Sequence, residues 1–391
     1  MPWREVSVVD QRREFVGLAM QEGANRRELC RRFRISPDVG YKWLRRAAAG
    51  EGTLDDRSRR PHRSPNHCDA AVEAQVLAVR QAHPAWGARK IAHCLKRDGL
   101  SPPARSTVHE ILRRHDLVRP PEHQSRGPYQ RFEKEAPNLL WQMDFKGEMP
   151  LSSGVLCYPL TVIDDHSRYA LCVGACANQQ SQTVQAQLTA TFRRYGLPDA
   201  FFVDNGSPWG DASGARWTRL GVWLLKLGVD IWHARPYHPQ SRGKNERFHR
   251  TLKAEVFQMQ RFASLLELQG AFDRWRTIYN LERPHEALGL DVPISRYRSS
   301  SRPMPDQLPT VEYDSCEVVR SVSTTKAYVS FKGQSWKVPQ AFCGETLAIR
   351  PLTADGRFGI FFASRQVASI DLTSRKSVSH VSGQVSAMSP G

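Results

Sequence analysis

The 391 residues suffice for about two or three domains, and 56 Lys plus Arg against 39 Asp plus Glu give a formal charge of +17. That balance makes nucleic acid the expected partner, because neutralised phosphates release counterions and supply sequence-independent affinity. No apolar run approaches the ~18 residues that span a bilayer, and MPWREVSVVD lacks a signal-peptide apolar region, so a soluble, non-exported, cytoplasmic protein without membrane contact is expected.

Charge is unevenly placed. Residues 1–130 hold 25 basic and 15 acidic side chains, so ten of the seventeen net charges fall in the first third. The eight cysteines form no CxxC pair and no repeated framework, which fits a reduced compartment. His67 with Cys68 and His93 with Cys94 do not have the spacing of a structural zinc site.

The first fifty residues read as three helices. Val9, Phe15, Val16, Leu18 and Ala19 mark the first, Leu29, Cys30 and Phe33 the second, and Val39, Tyr41, Trp43 and Leu44 the third, with Ser36 as N-cap and Pro37 at its first position. A short helix, a tight turn and a basic third helix resemble a helix-turn-helix, which makes Lys42, Arg45 and Arg46 candidate DNA contacts. Residues 51–67 lose apolar periodicity and form a basic linker. In it Arg59 and Arg60, beside Pro61, are candidates for a minor-groove arm or for phosphate contacts alone.

The order of elements then repeats over 68–120. One helix carries Val72, Val76, Leu77 and Val79, the next is stopped by Gly99, and a third has Ser106 or Thr107 as its expected cap and Val108, Ile111 and Leu112 inward. Arg113 and Arg114 on that last helix are expected to stay available for DNA. Prolines 120, 121 and 128 mark a second linker, 121–134.

From Leu139 the pattern turns to strands. LLWQMDF ends at Asp144, VLCYPLTVID and RYALCVGACA form a hairpin around DDHSR, a helix covers 181–195, and the apolar DAFFVDNG ends at Asp204. This is an α/β core with both aspartates at C-terminal strand ends, where open sheets place their sites. Glu246 opens a later helix whose buried stripe is Phe248, Leu252, Val256 and Met259. At ~100° per residue Arg250 and Lys253 share its face. Leu265, Leu268, Phe272, Trp275 and Tyr279 line a further helix as packing residues.

Beyond a third linker, 299–310, short β-patterned runs predict a small β-barrel over 311–373, followed by a disordered tail, 374–391. Three carboxylates in a basic chain suggest metal-dependent chemistry on a polyanion. Asp164, Asp165, Asp211 and Asp230 are rival candidates on position alone.

WQMDF, VIDDHSRY, VDNG, HPQSRGKNERFHRTLK and YNLERPHEALG together resemble the catalytic core of retroviral integrases and of related bacterial insertion-sequence transposases, over about residues 135–300. The resemblance implies a ribonuclease-H-like core at 135–298 that uses an Asp, Asp, Glu triad. Motif by motif, these are Asp144, Asp204 and Glu246, as both catalytic residues and ligands of two Mg²⁺ (or Mn²⁺) ions per site. It leaves Asp164 and Asp165 outside the triad. It implies a homo-oligomeric DNA transposase, in which helix-turn-helix modules at 1–50 and 68–120 bind the double-stranded element ends. The core would then cut each 3′ end and join it to target DNA. The alternative is a DNA-binding regulator derived from a transposase that has lost activity. The interval from Asp204 to Glu246 is longer than the usual retroviral one, which favours the transposase side, and the retroviral N-terminal His and Cys module has no counterpart.

Overall fold

The structure, a computed structural model, describes residues 7–50, 54–57, 68–118, 132–210, 217–234, 243–374 and 376–379. The chain divides into two compact units, Met1–His67 and Cys68–Gly391.

The first unit packs α1 (Val8–Ala19), α2 (Arg26–Arg32) and α3 (Pro37–Ala48) around Phe15, Val16, Ala19, Cys30 and Trp43. Ser36 accepts from the Val39 amide and Pro37 opens α3, so the predicted cap forms as expected. Val39 and Tyr41 are exposed, because the face of α3 that meets α1 and α2 runs through Gly40 and Trp43. A Cβ at Gly40 would lie 2.6 Å from Cys30 Sγ and 2.9 Å from Phe15 Cζ, so only glycine permits this close helix crossing. The expected linker begins inside the fold: Leu54 is buried, and Arg12 holds its carbonyl at 2.9 Å and the Asp56 carboxylate at 2.9 Å.

In the second unit α4 (Ala70–Ala82), α5 (Ala88–Arg97) and α6 (Arg105–Arg114) enclose Val76, Trp86, Ile91, Leu95, Val108, Ile111 and Leu112. Helix α6 starts one residue before Ser106, with Ala104 at the cap and no side-chain cap bond, so neither Ser106 nor Thr107 caps it. Ala104 is extended, with φ −53° and ψ 148°, and the helix begins at the next residue.

The core is a mixed sheet in three layers. Strands β1 (Trp141–Phe145), β5 (Ala200–Val203) and β6 (Asp230–His233) run parallel. Strand β3 (Leu156–Asp164) pairs antiparallel with β1, with β4 (Ala170–Cys176) and, at its start, with the short β2 (Met149–Pro150). Trp141, Met143, Leu160, Val162, Phe201 and Val203 face α7 (Ser181–Tyr195) and α8 (Arg219–Lys226). Ile163, Ala170 and Val173 face α9 (Gly243–Leu252) and α10 (Leu265–Leu281), where Phe248, Leu252, Leu268, Phe272, Trp275 and Tyr279 are buried as packing residues.

A π turn, Lys253–Phe257, follows α9. It closes with Gln258 N donating to Lys253 O at 2.9 Å, an i to i+5 bond. This wider turn shifts the helical phase, so Val256 is buried while Met259, predicted for the same stripe, is exposed. Two expected linkers are also docked. Phe132 and residues 133–138 lie against the sheet and the hairpin turn, and Arg302 binds the carbonyls of Pro198, Leu227 and Gly228 and the Asp199 carboxylate.

The C-terminal domain is a five-stranded antiparallel sheet, in the order β13 (Lys376–Ser379), β12 (Arg365–Asp371), β11 (Arg357–Phe362), β10 (Thr346–Pro351), β7 (Val318–Ser321). The hairpin β8 (Tyr328–Phe331) with β9 (Gln334–Lys337) lies against both edge strands, β8 beside β7 and β9 beside β13, giving a barrel-like closure by contact. Strand β13 carries the sheet past Ser374, where the sequence predicts the tail to start. Among the described residues no helix is long and apolar enough to cross a membrane.

Candidate active site

Strand alternation places the first carboxylate. Trp141 and Met143 point into the α7 and α8 layer, so Gln142 and Asp144 face the opposite side, which α9 approaches. Strands β1 and β5 pair in register, Trp141 with Phe201 and Gln142 with Phe202. Asp144 lies near the C-terminal end of β1, and Asp204 directly follows Val203, the last residue of the parallel β5. Asp204 is held at both ends: its carbonyl accepts from His233 Nδ1 at 2.9 Å, and its Oδ1 accepts from the Gly206 amide at 3.0 Å.

Glu246 lies in the first turn of α9, exposed, while Phe248 and Leu252 anchor the helix in the core. Two side chains of α9 tie it to the sheet around Glu246. Lys244 Nζ reaches Asp165 Oδ1 at 2.5 Å, and His249 Nε2 lies 2.8 Å from Thr161 Oγ1, which donates to the Asp144 carbonyl at 3.0 Å. Burial pulls the Lys244 ammonium down to about 8, with Asp165 acting in the opposite direction.

The rival aspartates of the hairpin turn are structural. Asp164 accepts from the Ser167 amide and hydroxyl and from the Asn138 amide, and burial pushes its carboxyl upward against these bonds. Asp165 accepts from the Lys134 amide and from Gln142 Nε2 besides Lys244.

The predicted cations are distributed differently. Arg250 is exposed on α9, and Lys253, also exposed, is the first residue of the π turn that follows it. Sequence reading missed Lys146, two residues past Asp144. It is half-buried, its ammonium lies 5.3 Å from the centroid of the Phe257 ring in the turn that Lys253 opens, and burial and then Lys253 hold that ammonium below its usual range. The signal available was strand parity in WQMDFK, which puts residues 142, 144 and 146 on one side. Lys42 and Arg45 are exposed on α3, whereas Arg46 stacks on Trp43 and binds the Asp55 carbonyl. Arg113 is chelated by Glu110 and Arg114 pairs with Glu73 at 2.9 Å, so both predicted DNA contacts are engaged within the protein. Arg59 and Arg60 lie outside the described residues.

Family profiles described as integrase core domains match residues 134–239 and 227–293, and one described as the C-terminal domain of IS481-family transposases matches 317–378. The chain belongs to the insertion-sequence transposases with an integrase-like core. Upstream, this transposase matches a helix-turn-helix profile over 11–62 and a homeodomain-like profile over 39–112. It is 23% identical over 235 residues to the insertion element IS407 uncharacterized 31.7 kDa protein of Burkholderia multivorans, covering 59% of this chain and 81% of that one. To the insertion element IS476 uncharacterized 39.2 kDa protein of Xanthomonas euvesicatoria it is 24% identical, over 61% of this chain and 67% of that one. Among solved structures, a chain of the simian T-cell lymphotropic virus intasome in complex with PP2A regulatory subunit B56 gamma aligns over 74% of this chain and 96% of its own, at 14% identity and a TM-score of 0.37.

As donors, the transposase carboxylates suit a hard divalent ion, which prefers oxygen ligands and keeps waters. Asp144, Asp204 and Glu246 are donors of that kind, and among the described residues no three His, Cys, Asp or Glu side chains are grouped to hold a metal.

Proposed function

We propose that this transposase binds the double-stranded ends of its own element, hydrolyses the strand at each 3′ end and joins the freed ends to target DNA. The observation that supports this is the parallel, in-register pairing of β1 with β5, Trp141 with Phe201 and Gln142 with Phe202, in the two strands whose C-terminal ends carry Asp144 and Asp204, with α9, the helix of Glu246, packed against β1. In this reading Asp144 would hold both of two Mg²⁺ or Mn²⁺ ions, Asp204 one and Glu246 the other. Such ions would supply activation of the attacking oxygen and charge stabilisation of the leaving one.

The chain's own groups hold and orient the DNA. Lys146, Lys253 and Arg250 grip the phosphate backbone beside the carboxylates, and Lys42 and Arg45 on α3 contact the element end. In joining, the freed 3′-hydroxyl forms a new phosphoester with a target phosphate and the target's own 3′-oxygen leaves. Two ends must be joined together, so the active form is a dimer or larger.

Full-length protein incubated with Mg²⁺ and duplexes carrying the element's terminal repeats tests this. Strand-joined products are expected. Nicks alone would make it a nuclease, and a mobility shift alone a DNA-binding regulator. Asp204→Asn and Glu246→Gln should each abolish joining and keep the mobility shift. Joining by either variant would overturn the site assignment.

A further inference from the structure

Thr161 and Asp144 face one another across the β1 and β3 ladder, so their side chains share a face. The Thr161 hydroxyl has one proton and two neighbours, the Asp144 carbonyl at 3.0 Å and His249 Nε2 at 2.8 Å. A carbonyl only accepts, so the hydroxyl donates to Asp144 and accepts from His249, which fixes the proton on Nε2. His249 is three residues beyond Glu246, on the adjoining part of the same helical surface.

We propose that His249, through Thr161, is a positioning residue that sets the rotation of the Glu246 helix relative to the Asp144 strand. The proposal rests on the transposase reading of the site. Phe248 and Leu252 bury the far side of α9, but apolar burial is non-directional, so rotation about the helix axis depends on directional bonds: Lys244 to Asp165 at the first turn and His249 to Thr161 one turn further, beside Asp144. A hydrogen bond between helix and strand is directional, and this one ends on the backbone of a proposed ligand. Loss of the imidazole leaves the Thr161 hydroxyl still donating to the Asp144 carbonyl, so the strand pair keeps this bond. A structural role and a positioning role therefore predict different results.

His249→Phe keeps a planar ring and removes the donor. It should lower the strand-joining rate at saturating DNA by at least about tenfold, as small misplacements of reacting groups do. DNA affinity should stay within about twofold, and the melting temperature within about 2 °C. His249→Gln, whose amide restores an N–H donor, should recover most of the rate. Thr161→Val combined with His249→Phe should be no slower than Thr161→Val alone, because both break one relay. Independently of activity, Mn²⁺ affinity measured calorimetrically should fall in His249→Phe and in Glu246→Gln alike.

Wild-type joining or undiminished Mn²⁺ affinity in His249→Phe would overturn the proposal, as would a Gln variant as slow as the Phe variant. If the wild type joins no DNA while both variants weaken Mn²⁺, the positioning role stands and the transposase reading falls.

Discussion

Lys244 Nζ lies 2.5 Å from Asp165 Oδ1, joining the first turn of α9 to the hairpin turn 79 residues earlier. The Asp165 side chain is fully buried and that of Lys244 is 16% exposed, so this is an ion pair with little solvent screening. Breaking a buried pair from one side strands a charge and costs about 3–5 kcal/mol. Lys244→Met should lower stability by that order in urea unfolding. Adding Asp165→Asn should restore much of it, since the neutral amide removes the stranded charge. Equal stability of the single and double variants would contradict this account.

Gly40→Ala should destabilise the first unit. Alanine favours a helix over glycine by about 1 kcal/mol, but the added methyl would sit 2.6 Å from Cys30 Sγ and 2.9 Å from Phe15 Cζ, both buried. Overpacking costs about 1–3 kcal/mol, so the clash wins. Hydrogen exchange should rise in peptides covering α1 to α3 and stay unchanged in the core; unaltered protection of α1 to α3 would refute the prediction.

Lys90 on α5 is pulled from 10.5 to about 8, chiefly by burial, then by Arg283, with Glu255 and Glu286 opposing. Between these two values the unfolded chain binds the proton more tightly, so stability rises with pH across the window, and the penalty is complete below about 8. Lys90→Met should stabilise the protein at pH 7, by on the order of 1–3 kcal/mol. It should also flatten the slope from pH 8 to 10.5. Parallel pH profiles of wild type and variant in urea unfolding would count against it.

Arg302 directs its guanidinium at the carbonyls of Pro198, Leu227 and Gly228 and at the Asp199 carboxylate, with distances of 2.8–3.0 Å. Lysine keeps the charge but lacks the planar fork. Arg302→Lys should therefore cost about 1–2 kcal/mol, with raised hydrogen exchange at residues 299–304 and at the end of α7. A variant as protected as the wild type there would show that the segment is held by other contacts.

Lys146 Nζ lies over the ring of Phe257, in the turn that begins at the exposed Lys253, so a phosphate reaching this turn would meet both cations. Each alanine variant should reduce the slope of log affinity against log salt by about one unit on non-specific duplex. Unchanged slopes would remove both residues from the DNA path.

Much of the fold was legible because it is written in short periods. The spacing of Leu268, Phe272, Trp275 and Tyr279 marked α10 and its buried face, and the apolar runs ending at Asp144 and Asp204 marked β1 and β5. The site was legible differently: position left at least four rival aspartates, and resemblance of motifs, not periodicity, chose among them. Lys146 was within reach of strand parity.

By itself the sequence determined the elements, their buried faces, the capped start of α3 and the family, since each depends on residues a few positions apart or on motifs in order. Only the tertiary structure decided which distant groups meet. His249 and Thr161 are 88 residues apart, and Arg302 and Pro198 are 104 apart. Such pairs depend on strand register and on the rotation of one helix against a sheet, which local periods of 2 and 3.6 do not encode. The register of β1 against β5, Trp141 with Phe201 and Gln142 with Phe202, is of the same kind, because neither strand's own pattern states which residue of the other it meets.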